Sequence, residues 1–223
     1  MTSPPERLAR FSPAVRITHW LNAIGFAILT FTGAVLYFPK GSEWIGHREV
    51  VRNTHVWTGL LLLLPLLYAY VWSSSLRDDV RRLARWTRDD QRWWFPSQRD
   101  RVRLGKFNPG QKVNASFTFA ALVTLLGTGS IMKWNRPFSD DVRTGATFVH
   151  DWTALVIGIV VVGHIVMAFR DFESLRGMAR GRVRAEWAAR ERPRWHAEMT
   201  AGTDLAPVTD AAQNDPEPVG EPR

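Results

Sequence analysis

The chain has 223 residues, 45% of them hydrophobic, with a formal net charge of +8 and no cysteine. Lack of thiols excludes disulfides, thiolate metal sites, iron–sulfur clusters on this chain and covalently attached c-type haem. The positive charge is spread over the loops between apolar blocks, so no nucleic-acid partner is expected.

Residues 1–17 form a short polar lead-in. "THWLNAIGFAILTFTGAVLYF" (18–38) is long enough for a membrane-spanning helix, which needs about 20 mostly apolar residues. It holds His19 and Asn22 and is not followed by a small-residue cleavage site, so it reads as a retained helix rather than a signal peptide. The loop after it carries Pro39, Gly41 and Trp44, a surface turn with an interfacial anchor. A second span, "HVWTGLLLLLPLLYAYVW" (55–72), contains Pro65, which a packed bundle tolerates as a kink.

Residues 73–113 hold nine Arg and two Lys against five Asp. Within them, "LRDDVRRLARW" sets Leu76, Val80, Leu83 and Trp86 at helical spacing, with arginines on the other face. That pattern predicts a helix lying on an anionic membrane surface, with Trp93 and Trp94 extending the anchor. The third span is "NASFTFAALVTLLGTGSIMKW" (114–134) and the fourth "VHDWTALVIGIVVVGHIVMAF" (149–169). Residues 170–199 repeat the basic amphipathic theme, with Leu175, Met178, Trp187 and Trp195 among arginines. From about residue 200 the chain is rich in Pro, Asp, Glu and Thr and is expected to be disordered. No internal repeat of fixed period is visible.

The fold class is therefore an all-α membrane protein, a four-helix transmembrane bundle over 18–169 with interfacial helices outside it. The basic segments at 73–113 and after residue 169 are expected to face the cytoplasm, with both termini, in a bacterial inner membrane. Loops 39–54 and 135–148 then face outward.

Topology assigns depth to the histidines. His19 opens the first helix near the inner face. His55 opens the second near the outer face. The fourth helix runs from outside to inside, so His150 is outer and His164 inner. The histidines thus form two pairs by depth, His55 with His150 and His19 with His164. Fourteen residues separate His150 from His164, a rise of about 21 Å that returns to within about 40° of the same helix face. Two well-separated pairs suit two stacked cofactors. Bis-histidine ligation of a haem iron fills both axial positions and leaves electron transfer as the chemistry.

Other readings stand beside this one. An intramembrane histidine also serves helix–helix hydrogen bonding or a proton relay, in which case the chain is a haem-free anchor or transporter. Zinc prefers four clustered ligands, which these pairs do not form. Gly25, Gly33, Gly127 and Gly129 leave room for a flat macrocycle or for close helix packing. Arg16 suits a haem propionate or a plain inner-face charge. His47 and His196 read as surface residues.

The chain resembles the gamma subunit of membrane-bound respiratory formate dehydrogenase, a di-haem cytochrome b. The resemblance spans about residues 7 to 197. It rests on "RITHW" (16–20), "THVWTGL" (54–60), "GKFNPGQKVN" (105–114), "HDW…GH…MAF" (150–169) and the tail "GMARGRVRAEWAARERPRW" (177–195). Cytochromes b of nickel–iron hydrogenases and thiosulfate reductases share the histidine pattern but are not expected to share the loop and tail so closely. The resemblance implies two b-type haems, with His55 and His150 as axial ligands of the outer iron and His19 and His164 of the inner one. It implies a quinone, ubiquinone or menaquinone, near the inner haem, against Asn108, Gly110 and Gln111, with His164 adjacent. Pro109 stands where that family usually has a smaller residue. The implied partners are an iron–sulfur beta subunit and a molybdenum- or tungsten-containing catalytic alpha subunit, so no dehydrogenase active site is expected on this chain. Read without the resemblance, "NPG" is a turn leading into the third helix, a role that can coexist with a quinone site.

Overall fold

The structure, a computed structural model, describes residues 6–38 and 46–204. Four stretches are long and apolar enough to cross a membrane: Pro13–Tyr37, Arg48–Trp72, Pro109–Lys133 and Asp140–Arg170. They make this a multi-pass membrane bundle.

Each span begins earlier than its apolar run, and in three of the four a polar side chain caps the start. Helix α1 (Pro13–Tyr37) follows Ser12, whose hydroxyl accepts from the Val15 N–H, with Pro13 in the first turn. The second span is two helices, α2 (Arg48–Leu61) and α3 (Leu64–Trp72). The break has a local cause. Pro65 has no N–H to give the Leu61 carbonyl and its ring crowds that carbonyl, and α2 ends at Leu61. Helix α4 (Ser74–Ala84) and the short α5 (Arg88–Arg92) follow, then a 3₁₀ turn at Pro96–Arg101. The third span is α6 (Pro109–Lys133), capped by Asn108. The fourth is α7 (Asp140–Arg170), capped by Ser139, with Asp140 and Asp141 in its first turn. His55 and His150 consequently lie well inside α2 and α7 rather than at their openings.

The chain segments outside the spans build a cap on one end of the bundle. Strand β1 (Arg7–Ala9) pairs antiparallel with β2 (Arg182–Arg184), Leu8 opposite Val183. Between α7 and β2 lies α8 (Phe172–Arg180), and after β2 come α9 (Ala185–Glu191) and α10 (Pro193–Asp204). Gly181 ends α8 at φ +83°, a left-handed turn that glycine adopts without strain. Its carbonyl accepts from the N–H groups of Arg10 and Phe11. Both ends of the described chain therefore meet at the cap, and the α2 and α7 starts lie at the far end.

The cap corrects the membrane-surface reading of the basic segments. Val183, Trp187, Ala188, Trp195 and Leu8 are buried together. Leu76 is buried with Phe11, Val15, Ala69 and Phe107, and Val80, Leu83 and Met178 pack against that cluster. The apolar faces predicted to lie on lipid are thus covered largely by protein. Helical periodicity identifies an apolar face but not what covers it. Trp86 and Trp94 remain exposed, as a membrane-surface anchor requires. The short sheet is a further departure, since three-residue strands of alternating Arg and Leu or Val give no periodic signal. Helix α10 runs to Asp204, into the stretch expected to be disordered. Residues 205–223 and the Trp44 anchor lie outside the described residues.

Arginines inside the cap are held by aromatic rings. The buried Arg10 guanidinium lies 4.7 Å from the Trp187 ring centre and 5.1 Å from that of Phe11, and it donates to Ser174 Oγ at 2.8 Å. Burial, and the neighbouring Arg192, push the Arg10 pKa down to about 9, against the opposing pull of Asp171 and Asp79.

Candidate functional site

The bundle brings the predicted histidines together in the predicted pairs. The His19 and His164 ring centres are 6.3 Å apart, at an interplanar angle of 53°. The His55 and His150 centres are also 6.3 Å apart, at 65°. Both members of the fourth-helix set lie on the unbroken α7, so the pairs are separated along the bundle by about 21 Å. His47 precedes α2 at the exposed far end and His196 sits in α10, away from both pairs.

The distances can be tested against an iron between two imidazoles. Metal–nitrogen bonds of about 2 Å, with each ring nitrogen about 1.2 Å from its ring centre, put the centres about 6.4 Å apart on a straight line. Both pairs fit that value. Among the described residues no group of three or more His, Cys, Asp or Glu could hold a metal ion. Each pair therefore offers two imidazoles and no further ligand, which suits a bis-histidine haem and not a tetrahedral zinc.

The far pair has supports that the sequence reading did not identify. Thr32 Oγ1 on α1 lies 2.9 Å from His55 Nδ1, and Thr128 Oγ1 on α6 lies 3.0 Å from His150 Nδ1. The following residue in each case is glycine. A Cβ on Gly33 would come within 3.3 Å of His55 Cε1, and one on Gly129 within 3.3 Å of His150 Cε1. Both contacts are tighter than ordinary van der Waals packing, so glycine lets each ring sit against its helix. The signal was present in the sequence as a Thr-Gly pair repeated late in the first and third spans. Of the other two glycines, Gly25 packs against Leu62, just past the end of α2, and Gly127 has nothing within 4 Å of where a Cβ would stand. The cap-end pair lacks this arrangement: His19 Nδ1 is buried without a hydrogen-bond partner among the described residues.

Arg16 is tied into the cap. Its Nη2 donates to the Ala179 carbonyl at 2.6 Å, joining the start of α1 to the end of α8. Its Nε is buried without a partner among the described residues.

The "FNPGQK" loop forms the start of α6, at the same end of the bundle as His19 and His164. Asn108 and Gln111 make a reciprocal capping box. Asn108 Oδ1 accepts from the Gln111 N–H at 2.8 Å, and Gln111 Oε1 accepts from the Asn108 N–H at 3.0 Å. Each side-chain oxygen is used by the backbone, which leaves each amide NH₂ as a donor. Pro109 occupies the first helical position, where a missing N–H costs no helical hydrogen bond. Gly110 stands beside Trp93, since a Cβ there would be 3.8 Å from Trp93 Cη2.

Two buried ion pairs clamp this loop, one on each side. Lys106 Nζ bonds the Asp79 carboxylate of α4, and Lys112 Nζ donates to Asp90 at 2.7 Å and to the Arg85 carbonyl at 2.7 Å. Asp90 also accepts from Thr87, closing a second capping box at α5. Desolvation raises the Asp79 carboxyl above its usual range and lowers the Lys106 ammonium, in each case against the attraction of the partner.

Matched imidazole pairs inside four membrane-length helices mark a class, the membrane cytochromes of the b type. The chain belongs to the prokaryotic cytochrome b561 family, whose profile matches residues 10–181 and so covers all four paired histidines. Membership implies b-type haem. The chain is 31% identical to the formate dehydrogenase cytochrome b556 subunit of Haemophilus influenzae over 207 residues, 88% of this chain and 85% of the relative. It is 26% identical over 218 residues to the formate dehydrogenase cytochrome b556(fdo) subunit of Escherichia coli K12, covering 89% and 96%. It is 24% identical over 192 residues to the nitrate-inducible formate dehydrogenase cytochrome b556(Fdn) subunit of the same organism, covering 82% and 88%.

Proposed function

We infer that this chain is the membrane cytochrome b subunit of a formate dehydrogenase, passing electrons across the inner membrane to a quinone at the cytoplasmic face. The observation that carries the reading is the pair of equal histidine separations, 6.3 Å at each end of the bundle. His55 and His150 would hold an outer b-type haem, and His19 and His164 an inner one. Held by two histidines each, the haems would supply one-electron exchange.

The chain's own residues supply the rest. The far end would receive an iron–sulfur beta subunit, with a molybdenum- or tungsten-containing alpha subunit beyond it, as the resemblance implies; the relatives' names speak only of a subunit of formate dehydrogenase. At the cap end, the NH₂ groups of Asn108 and Gln111 and the backbone at Gly110 supply donors for a quinone carbonyl. The capping box and the two buried ion pairs hold those donors in place, as a binding site on rigid supports requires. The basic character of the cap supports a cytoplasmic location for this end, where protons for quinone reduction are available. Arg16 keeps donors beyond the one bonded to Ala179, which supports its role toward an inner propionate.

Single histidine replacements test the assignment. Alanine at His55 or His150 should remove one haem absorbance and redox signal, and alanine at His19 or His164 the other. Retention of both haems in any of these variants contradicts the ligand set. Affinity purification of the chain with its bound partners decides the enzyme: an iron–sulfur subunit with a molybdenum or tungsten dehydrogenase supports formate oxidation, and a nickel–iron hydrogenase contradicts it.

A further inference from the structure

We propose that Thr32 and Thr128 are positioning residues for the far histidine pair, fixing the tautomer and orientation of both imidazoles and lowering the midpoint potential of the haem they hold relative to an unsupported pair. The inference rests on the reading of His55 and His150 as axial ligands.

The hydroxyl proton of each threonine is already committed. Thr32 Oγ1 donates to the Ile28 carbonyl at 2.7 Å, and Thr128 Oγ1 to the Thr124 carbonyl at 2.8 Å, both one turn back on their own helices. A hydroxyl has one proton and two lone pairs, so toward the imidazole each threonine is an acceptor. Nδ1 of His55 and of His150 therefore carries the proton, and Nε2 keeps its lone pair for a metal. The same three-part device, a back-bonded threonine, a following glycine against the ring edge and a histidine on the next span, occurs twice. It serves both members of one pair. At the other pair, His19 Nδ1 has no protein acceptor among the described residues.

A metal-bound imidazole whose second N–H is held by an acceptor is more basic and better oriented. A more basic ligand favours the oxidised iron, which lowers the potential. The valine variant has nearly the shape of threonine and lacks the hydroxyl, both the acceptor toward the ring and the back-bond donor, whereas serine keeps it.

The test is a potentiometric titration of the intact, haem-loaded complex. In Thr32→Val and Thr128→Val, one haem wave should move to higher potential and the other stay in place. The double variant should move the same wave further. Thr32→Ser and Thr128→Ser should return it toward the wild-type position. Loss of the outer haem in the valine variants, with its retention at near wild-type potential in the serine variants, also supports the role. Unchanged potentials with both haems present overturn it, as does equal haem loss from valine and serine variants, which marks the site as packing alone. Failure of the underlying ligand assignment looks different: His55→Ala then keeps both haems, whatever the threonine variants do.

Discussion

At the residue scale, Asn108 and Gln111 cap a helix and, in the proposed reading, also serve the quinone site. The oxygen of each caps the helix and the nitrogen of each is left to donate. The two roles can be separated chemically. Asn108→Asp and Gln111→Glu keep the oxygens and delete the donors, so both haems and the thermal unfolding midpoint should be retained while quinone reduction falls. Asn108→Ala removes the cap as well and should cost about 1 kcal/mol of stability. Undiminished quinone turnover in the Asp and Glu variants would remove these amides from the quinone site. At this scale the sequence was informative about the histidines, because a polar group in an apolar run stands out. Thr32 and Thr128 left only the faint signal of a repeated Thr-Gly pair, since a threonine in a membrane helix ordinarily bonds its own backbone and these do that as well.

At the scale of elements, the loop before α6 owes its place to charges that left water. Lys106 and Asp79 are nearly buried, and desolvation outweighs their attraction in the direction each group shifts. Breaking such a pair strands one charge in the interior. Asp79→Ala or Lys106→Ala should therefore destabilise the cap by about 3 to 5 kcal/mol. The paired replacement Asp79→Leu with Lys106→Met should recover most of that loss or exceed the parent, as read from thermal unfolding in detergent. Equal instability in the single and paired variants would show that the pair fixes the structure of the loop and not merely its charge balance. The four spans were legible as apolar runs of membrane length. Their starts were not, because Ser12, Asn108 and Ser139 begin each helix in polar sequence outside those runs. The apolar faces of α4 and α9 were legible as faces, and their partners, Phe11, Phe107 and Leu8, lie too far along the chain for periodicity to name.

At the scale of the whole molecule, the design is a bundle with two histidine levels and a capped end. An even number of spans returns both ends of the described chain to one side, where β1 and β2 join them. The cap holds the start of α1, which carries His19, the end of α7, which carries His164, and the start of α6, which carries Asn108. The pairing of histidines by depth could be reasoned from charge distribution and helix direction before any coordinates, because alternation of span direction leaves only one pairing. The equal separations of 6.3 Å at the two levels required the packed helices. The most direct measurement is a dithionite-reduced minus oxidised absorption spectrum of the purified protein, with haem quantified per chain. Two b-type haems per chain are predicted. A colourless protein, or one haem per chain after haem-replete expression, would contradict the account.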